Sequence, residues 1–303
     1  MPQPRRVEFT SEGETIAADL YLPDGVEGPL PIVVMAGGWC YVKELIQPHY
    51  GAFFNDAGFA TLIFDYRRFG DSTGTPRQHI DPNDQIEDYR NAISFVATLP
   101  EVDPHRIGVW GISYSGGHAL VLAATDNRIR SVVSNIPVVD GYRNMRRVHG
   151  TVGFRNLMQA IRDDREERYR SGSGGMIKHA TLDYATELST WPFPETYETF
   201  LDLKQREAPA YENASTIHST ELLLYYDVRP FLERILDTPT LMVVAEEDDL
   251  TLWDIEIAAY NAIPTAKKRL VVVPGSTHMT LYSDLTKLEI AAGGARDWFL
   301  ETL

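Results

Sequence analysis

One serine lies in a pattern typical of an activated nucleophile. The apolar stretch Arg106–Trp110 predicts a strand, Gly111 ends it, and Ser113 follows two residues later. Small residues flank this serine two positions away on each side, as Gly111 and Ser115, which a sharp strand-to-helix turn requires. At such a nucleophile elbow the hydroxyl projects from strained backbone, and the following helix directs its first N–H groups to the site where an oxyanion forms. The pattern therefore predicts Ser113 as the nucleophile.

The same stretch permits two other interpretations. If Ser115 were the nucleophile, its flanking residues would be Ser113 and Gly117, which are also small. Both serines could instead only cap the helix that begins near Gly116. We favour Ser113 because Gly111 then lies directly at the strand end, where the elbow begins.

An acid and a histidine follow two later strands. The strand Leu241–Ala245 leads into an acidic loop with Asp248, and the strand Arg269–Val273 leads into a loop with His278. Catalytic groups of open α/β sheets lie at the carboxyl ends of strands. A serine hydroxyl needs a base to accept its proton, and a histidine base needs a carboxylate to hold its tautomer. We therefore predict a triad of Ser113, His278 and Asp248.

Each triad member has an alternative. Asp249 adjoins Asp248 and could be the acid instead, and Asp140, after an earlier strand, is a further candidate. His278 could be an ordinary loop histidine. Its rival His118 falls in the helix behind the elbow, where we expect it to pack inside.

The oxyanion hole should combine two backbone N–H groups. One belongs to Tyr114, the residue after the nucleophile, and the other to the loop after the strand Pro31–Met35. That loop begins Gly37-Gly38-Trp39, and glycine lets the backbone approach a ligand closely. We assign the second N–H to Trp39, with Gly38 as the alternative, and expect Trp39 and Tyr114 to contact substrate.

Composition limits the function classes. The 303 residues are 44% hydrophobic, enough for one large packed domain, and the net charge of −15 argues against nucleic acid or an anionic membrane as partner. The single cysteine, Cys40, excludes an intrachain disulfide framework. We see no signal peptide, no membrane-spanning run and no metal-ligand spacing, so we expect a cytoplasmic protein without a cofactor. A homodimer is compatible with the sequence.

Strands and helices alternate along most of the chain. An opening hairpin is predicted at Val7–Phe9 and Thr15–Leu22, followed by strands at 31–35, 60–66, 106–110, 129–135, 241–245 and 269–273. Helices are predicted near 45–57 and 85–98, after Ser115, and at the C-terminal end. This alternation predicts a mostly parallel central sheet flanked by helices.

One segment interrupts the alternation. Residues 141–237 contain no convincing strand, and they are predicted to form several short amphipathic helices, including the charged run 163–168. We therefore predict an α/β core formed by residues 1–140 and 238–303, with 141–237 inserted as a helical lid. Its aromatic residues favour a substrate with an apolar portion, although each could equally belong to the lid's own small core.

The chain resembles α/β-hydrolases, in particular the dienelactone-hydrolase-like, Xaa-Pro-dipeptidyl-peptidase-like and polyketide-transferase branch. The resemblance rests on Val42–Glu44, Phe64–Ser72, the elbow Gly111–Gly117 and the loops of Asp248 and His278. It implies the α/β-hydrolase fold, with an inserted helical lid, and the chemistry of a serine hydrolase. Such proteins often carry His-Gly at the oxyanion loop, where this chain has Gly-Gly, a change that keeps the backbone donor but could alter substrate choice.

These observations predict cleavage of an ester, thioester, lactone or amide of a small-molecule substrate, through an acyl-enzyme on Ser113. The first alternative is an acyltransferase, in which an alcohol or amine replaces water. The second is a ligand-binding protein on a hydrolase scaffold, which is disfavoured because all three triad positions are present.

Overall fold

The fold is described from a computed structural model for residues 3–26 and 28–303. Strands β1 to β10 of this part of the chain are Arg5–Ser11, Glu14–Tyr21, Leu30–Ala36, Ala60–Phe64, Val102–Ile112, Ile129–Asn135, Met176–Lys178, Ala214–Thr216, Thr240–Ala245 and Lys268–Val273. Helices α1 to α11 are Gln47–Asp56, Pro82–Val96, Tyr114–Thr125, Gly141–Val148, Gly150–Ser171, Pro194–Arg206, Ile217–Tyr225, Arg229–Leu232, Trp253–Ala262, Thr280–Ser283 and Leu285–Thr302.

Eight strands form the central sheet, in the order β1-β2-β4-β3-β5-β6-β9-β10. The pairs β1–β2 and β2–β4 are antiparallel, and all later neighbours are parallel. Every residue of β3 and β9 is buried, as expected where helices cover both faces of a parallel sheet. The predicted fold class, a mostly parallel sheet flanked by helices, is confirmed.

The sheet brings the predicted functional loops to one edge. The parallel strands β5, β9 and β10 end at Ile112, Ala245 and Val273, directly before the elbow, the acidic loop and the loop of His278. Strand β3 ends beside β5, with Ala36 paired to Gly111. Parallel strands place their carboxyl ends at the same edge, so residues far apart in sequence converge there.

The segment 141–237 differs from the prediction in two ways. It contains the antiparallel pair β7–β8, three residues in each strand, where no strand was predicted. A two-stranded ladder this short buries only Ile177 from β7, so it leaves no recognisable alternation in the sequence. The charged run 163–168 lies within α5, which is one helix of 22 residues rather than a short one.

No helix in the described part of the chain is both long and apolar enough to cross a membrane. Within residues 3–26 and 28–303, no group of three or more His, Cys, Asp or Glu side chains is arranged to hold a metal ion.

Candidate active site

Ser113 occupies a strained turn between β5 and α3. Its backbone has φ 58° and ψ −118°, in the positive-φ region that side chains rarely adopt. Hydrogen bonds hold it there, because Ser113 N–H donates to Asn135 O at 2.9 Å and Val138 N–H donates to Ser113 O at 3.0 Å. A Cβ at Gly111 would lie 2.1 Å from Ser115 O, so only glycine fits. This is the geometry of a nucleophile elbow, with Ser113 at its apex.

Ser115 faces the interior instead. Its side chain is fully buried, and Oγ donates to Ala36 O at 2.7 Å while accepting the Ile112 N–H at 2.9 Å. The hydroxyl therefore fastens the elbow to the end of β3. Ser113, by contrast, lines a cavity. The geometry favours the first interpretation of the motif over the one centred on Ser115.

His278 and Asp248 form a buried pair. The His278 Nδ1–H donates to Asp248 Oδ2 at 2.7 Å, and the two side chains are 3% and 0% exposed. Asp248 Oδ1 also accepts the N–H groups of Leu250 and Thr251, at 3.0 and 2.8 Å. Burial raises the pKa of Asp248, but the charge of His278 and these hydrogen bonds outweigh it, so the pKa lies below its ordinary value. Asp248 is therefore ionised.

The alternative acids lie in different surroundings. Asp249 is exposed, and partial burial with the neighbouring charge of Asp248 raises its pKa. Asp140 caps α4 by accepting the Arg143 N–H at 3.0 Å, and it pairs with Arg229 at 3.0 Å. Neither carboxylate hydrogen-bonds to His278 in the described part of the chain, so the geometry favours Asp248.

A tyrosine that the sequence analysis missed lies beside His278. Tyr282 Oη is 3.5 Å from His278 Nε2, and the two rings stack with centroids 5.6 Å apart. Burial raises the pKa of Tyr282, so its phenol stays neutral. The only sequence signal for Tyr282 was its spacing of four residues from His278.

No Ser113–His278 hydrogen bond is present in the described residues. Such bonds often tighten only once substrate is bound.

The loop after β3 comes close to the serine. A Cβ at Gly38 would lie 2.9 Å from Ser113 Cβ. With the Gln47 side-chain amide turned so that its oxygen faces the loop, this oxygen accepts the Gly37 N–H at 3.0 Å. The N–H groups of the next residues in the loop are therefore the candidates to donate to an oxyanion. The Trp39 ring packs edge-on against Tyr114, with centroids 5.2 Å apart.

The Tyr114 side chain faces the interior and not the cavity. As the first residue of α3, its N–H has no partner within the helix. Its ring is fully buried and packs against His118 and Tyr226. It does not line the cavity, so the structure does not place the Tyr114 side chain where the sequence analysis expected substrate contact. Trp39 does line the cavity.

The cavity at Ser113 is small. It is lined by Trp39, Tyr41, Ser113, His179, Trp191, Thr196, Phe200, Leu250, His278, Met279 and Tyr282. Its free volume is about 10 Å³, roughly the room that one water molecule needs. Four of the lining residues come from the segment 141–237. A larger groove of about 1070 Å³ elsewhere shares no lining residue with this cavity.

His118, the rival histidine, is packed inside as expected. Its Nε2 lies 3.0 Å from Gln85 Oε1 and its Nδ1 lies 2.9 Å from Tyr226 Oη, so a neutral ring can donate to the amide and accept from the phenol. Burial lowers the pKa of His118 to about 3. The residue therefore supports the back of the elbow helix and does not reach the cavity.

This burial predicts a pH-dependent stability. Between about pH 6.5, where an unfolded histidine titrates, and pH 3, the unfolded chain binds the His118 proton and the folded chain does not. Stability contributed by neutral His118 is therefore lost as pH falls through this window. In urea unfolding, His118→Gln should reduce the loss between pH 6 and 5 by about 1 kcal/mol relative to the wild type. The exposed His105→Gln should leave the loss unchanged, and equal losses in all three proteins would contradict the prediction.

The fold and the site define the class of protein. The α/β hydrolase GrgF from Penicillium sp. sh18 superposes with a TM-score of 0.80 over 99% of this chain and 98% of that chain, at 22% identity. The architecture is therefore that of an α/β-hydrolase. Residues 12–280 match the sequence profile of the X-Pro dipeptidyl-peptidase (S15) family, and the chain belongs to that family.

Two named relatives extend the comparison. The polyketide transferase claH of Penicillium crustosum is 30% identical over 292 residues, which cover 93% of this chain and 92% of that protein. The thiohydrolase aneE of Aspergillus aculeatus is 42% identical over 135 residues, which cover 44% of this chain and 42% of that protein. The aligned part of aneE is thus less than half of its length. The resemblance drawn from the sequence is confirmed.

Proposed function

We propose that the protein is a serine hydrolase that cleaves an acyl bond through an acyl-enzyme on Ser113. The observation that carries the proposal is the His278–Asp248 hydrogen bond of 2.7 Å, next to a serine held at positive φ in the same cavity. We see no structural reason for a strained serine, a buried histidine and an ionised aspartate to lie together. Together they are the parts of an activated nucleophile.

The chemistry follows from these positions. Ser113 Oγ attacks the acyl carbonyl while His278 Nε2 accepts the hydroxyl proton, and Asp248 stabilises the imidazolium through Nδ1–H. The N–H groups of Tyr114 and Trp39, or of Gly38 in place of Trp39, donate to the oxyanion. His278 then returns the proton to the leaving alcohol, thiol or amine as its bond to the acyl carbon breaks. Water, deprotonated by His278, releases the acid and restores Ser113.

The segment 141–237 acts as a lid in this proposal. His179, Trp191, Thr196 and Phe200 from this segment wall a cavity too small for any acyl group. Substrate entry therefore requires the segment to move, and its closure would exclude water from the acyl-enzyme. The aromatic walls favour an acyl group with an apolar portion.

Trp191 offers a test of the acyl pocket. Its side chain is 2% exposed and lines the cavity, so Trp191→Leu removes bulk without adding a polar group. We expect the ratio of kcat/KM for an octanoyl ester to that for an acetyl ester to rise about tenfold. Tyr184→Leu, at a largely exposed position of the same segment, is the matched control. An unchanged ratio in a folded Trp191→Leu protein would argue against this pocket.

The experiment that tests the function is covalent labelling with a fluorophosphonate, followed by peptide mass spectrometry. An activated serine forms a stable phosphonyl adduct, and we expect that adduct on Ser113 and its loss in His278→Ala. Turnover of p-nitrophenyl esters and acyl thioesters then defines the leaving group. Labelling on another residue, or none after lid-loosening Trp191→Leu, would contradict the proposal.

Acyl transfer is the second candidate, and the likeness to a polyketide transferase over 93% of the chain favours it. The same acyl-enzyme would be captured by an alcohol or amine instead of water. In that case an added alcohol or amine should lower the yield of free acid and raise the yield of ester or amide. The rate at which the acyl-enzyme forms should stay the same. Release of acid alone across a panel of acceptors would leave hydrolysis as the function.

A further inference from the structure

A second buried acid lies behind the His278–Asp248 pair. Glu256, on α9, is fully buried, and its Oε1 lies 2.8 Å from Thr251 Oγ1. The same Thr251 oxygen lies 2.8 Å from Asp248 Oδ2 and 3.1 Å from His278 Nδ1. Four polar side chains therefore form a continuous chain that the three-residue triad does not account for.

The protons in this chain can be counted. The His278 Nδ1–H is directed to Asp248, at 2.7 Å, and Thr251 has one hydroxyl proton for two carboxyl groups. If both carboxyls were ionised, one of the two 2.8 Å contacts would bring oxygen lone pairs together with no proton between them. One of the two carboxyl groups must therefore carry a proton.

The surroundings decide which one. Asp248 accepts two backbone N–H groups as well as the His278 proton, so its charge is well solvated by donors. Glu256 has Thr251 as its partner, and its Oε2 is buried without a hydrogen bond in the described part of the chain. An orphan carbonyl oxygen of a neutral acid costs far less than an orphan carboxylate oxygen.

The charges around Glu256 also favour its protonated form. Burial and the charge of Asp248 raise the pKa of Glu256 far above its ordinary value. Asp254 on the same helix adds negative charge, and it is paired with Arg147 at 2.6 Å. His278 Nδ1 reaches the same Thr251 oxygen, at 3.1 Å, but its N–H is directed to Asp248.

We propose that Glu256 is a protonated positioning residue: its Oε1–H donates to Thr251 Oγ1, and the Thr251 hydroxyl donates to Asp248 Oδ2. This commits the Thr251 proton to Asp248 and holds the carboxylate in line with His278 Nδ1. It also keeps a second negative charge away from the imidazole. The inference rests on the proposed function for its catalytic meaning, but the protonation state can be tested without catalysis.

Infrared difference spectroscopy at pH 7.5 tests the proton directly. Subtracting the spectrum of Glu256→Gln from that of the wild type should isolate the carbonyl stretch of one protonated carboxylic acid. Glu247→Gln, at an exposed position of the preceding loop, is the matched control and should show only loss of a carboxylate. A carboxylate signal for Glu256 would overturn the inference whether or not the protein is an enzyme.

The pH dependence of fluorophosphonate labelling tests the positioning role. A neutral Glu256 predicts that Glu256→Gln keeps the acid midpoint of the labelling rate within about 0.2 pH units, since no charge is removed. It also predicts that Glu256→Leu, which cannot donate to Thr251, labels at least about tenfold more slowly than Glu256→Gln. An ionised Glu256 would instead make the glutamine variant shift the midpoint down by about 1 unit, which would overturn the proposal.

Thr251 variants keep the test usable if the Glu256 variants do not fold. Thr251→Ser retains the hydroxyl and Thr251→Val removes it at nearly constant volume. The proposal predicts about tenfold slower labelling for the valine variant than for the serine variant, and equal rates would overturn it. Absence of labelling in both the wild type and Trp191→Leu would refute the proposed function alone, because the infrared result stands independently.

Discussion

Ser113→Ala should abolish fluorophosphonate labelling and lower kcat for any acyl substrate by about 10⁵-fold or more, as removal of a triad nucleophile does elsewhere. In the proposed mechanism the Ser113 hydroxyl becomes acylated, and the neighbouring Ser115 hydroxyl is held inside the protein by Ala36 O and Ile112 N–H. Stopped-flow or steady-state ester hydrolysis measures the loss. Unfolding in urea should be little changed, because Ser113 lines the cavity and removal of one oxygen atom there leaves the packing of the core in place.

Ser115→Ala is the matched control for this prediction. It removes a hydroxyl that bonds Ala36 O and Ile112 N–H inside the protein, so it should cost about 1–3 kcal/mol of unfolding free energy. Labelling should nevertheless remain on Ser113. The opposite pattern, with labelling lost in Ser115→Ala and kept in Ser113→Ala, would shift the elbow by two residues.

Local patterns sufficed for the fold and for the elbow. Strand β3 was predicted at Pro31–Met35, within its observed bounds Leu30–Ala36, because a buried parallel strand is a short, nearly unbroken apolar run. Gly111 identifies the turn, since a Cβ at this position would meet the backbone of Ser115, only four residues away. The roles of Ser113, Asp248 and His278 and the lid remain predictions.

Features set by side-chain packing were not recognised in the sequence. Tyr282 contacts His278 from four residues away and Glu256 contacts Thr251 from five, and neither has a neighbouring residue type that indicates a buried polar partner. The small cavity also depends on how Trp191 and Phe200 fold over the sheet edge. The pair β7–β8 was missed because three-residue strands contribute too few buried positions to form a period.

Asp248→Asn should lower kcat/KM by about 10⁴-fold while leaving the fold intact. The amide would still accept the N–H groups of Leu250 and Thr251, but it has no charge to stabilise the imidazolium. Its NH₂ group would also face His278 Nδ1 and favour the tautomer that carries its proton on Nε2, where Ser113 must deliver one. Both effects act on the same step, so the loss should appear in kcat and in the fluorophosphonate labelling rate.

Asp249→Asn separates this role from a general effect of charge in the acidic loop. Asp249 is adjacent in sequence but exposed, so its neutralisation should change kcat/KM by no more than about threefold, the scale of a screened surface charge. Comparing the two variants at equal ionic strength isolates the hydrogen-bonded carboxylate from the field of its neighbours. Equal losses in both would make the loop's charge, rather than the 2.7 Å contact with His278, the source of activation. A large loss in Asp249→Asn alone would mean that the loop rearranges during catalysis and that Asp249 is the acid of the reacting state.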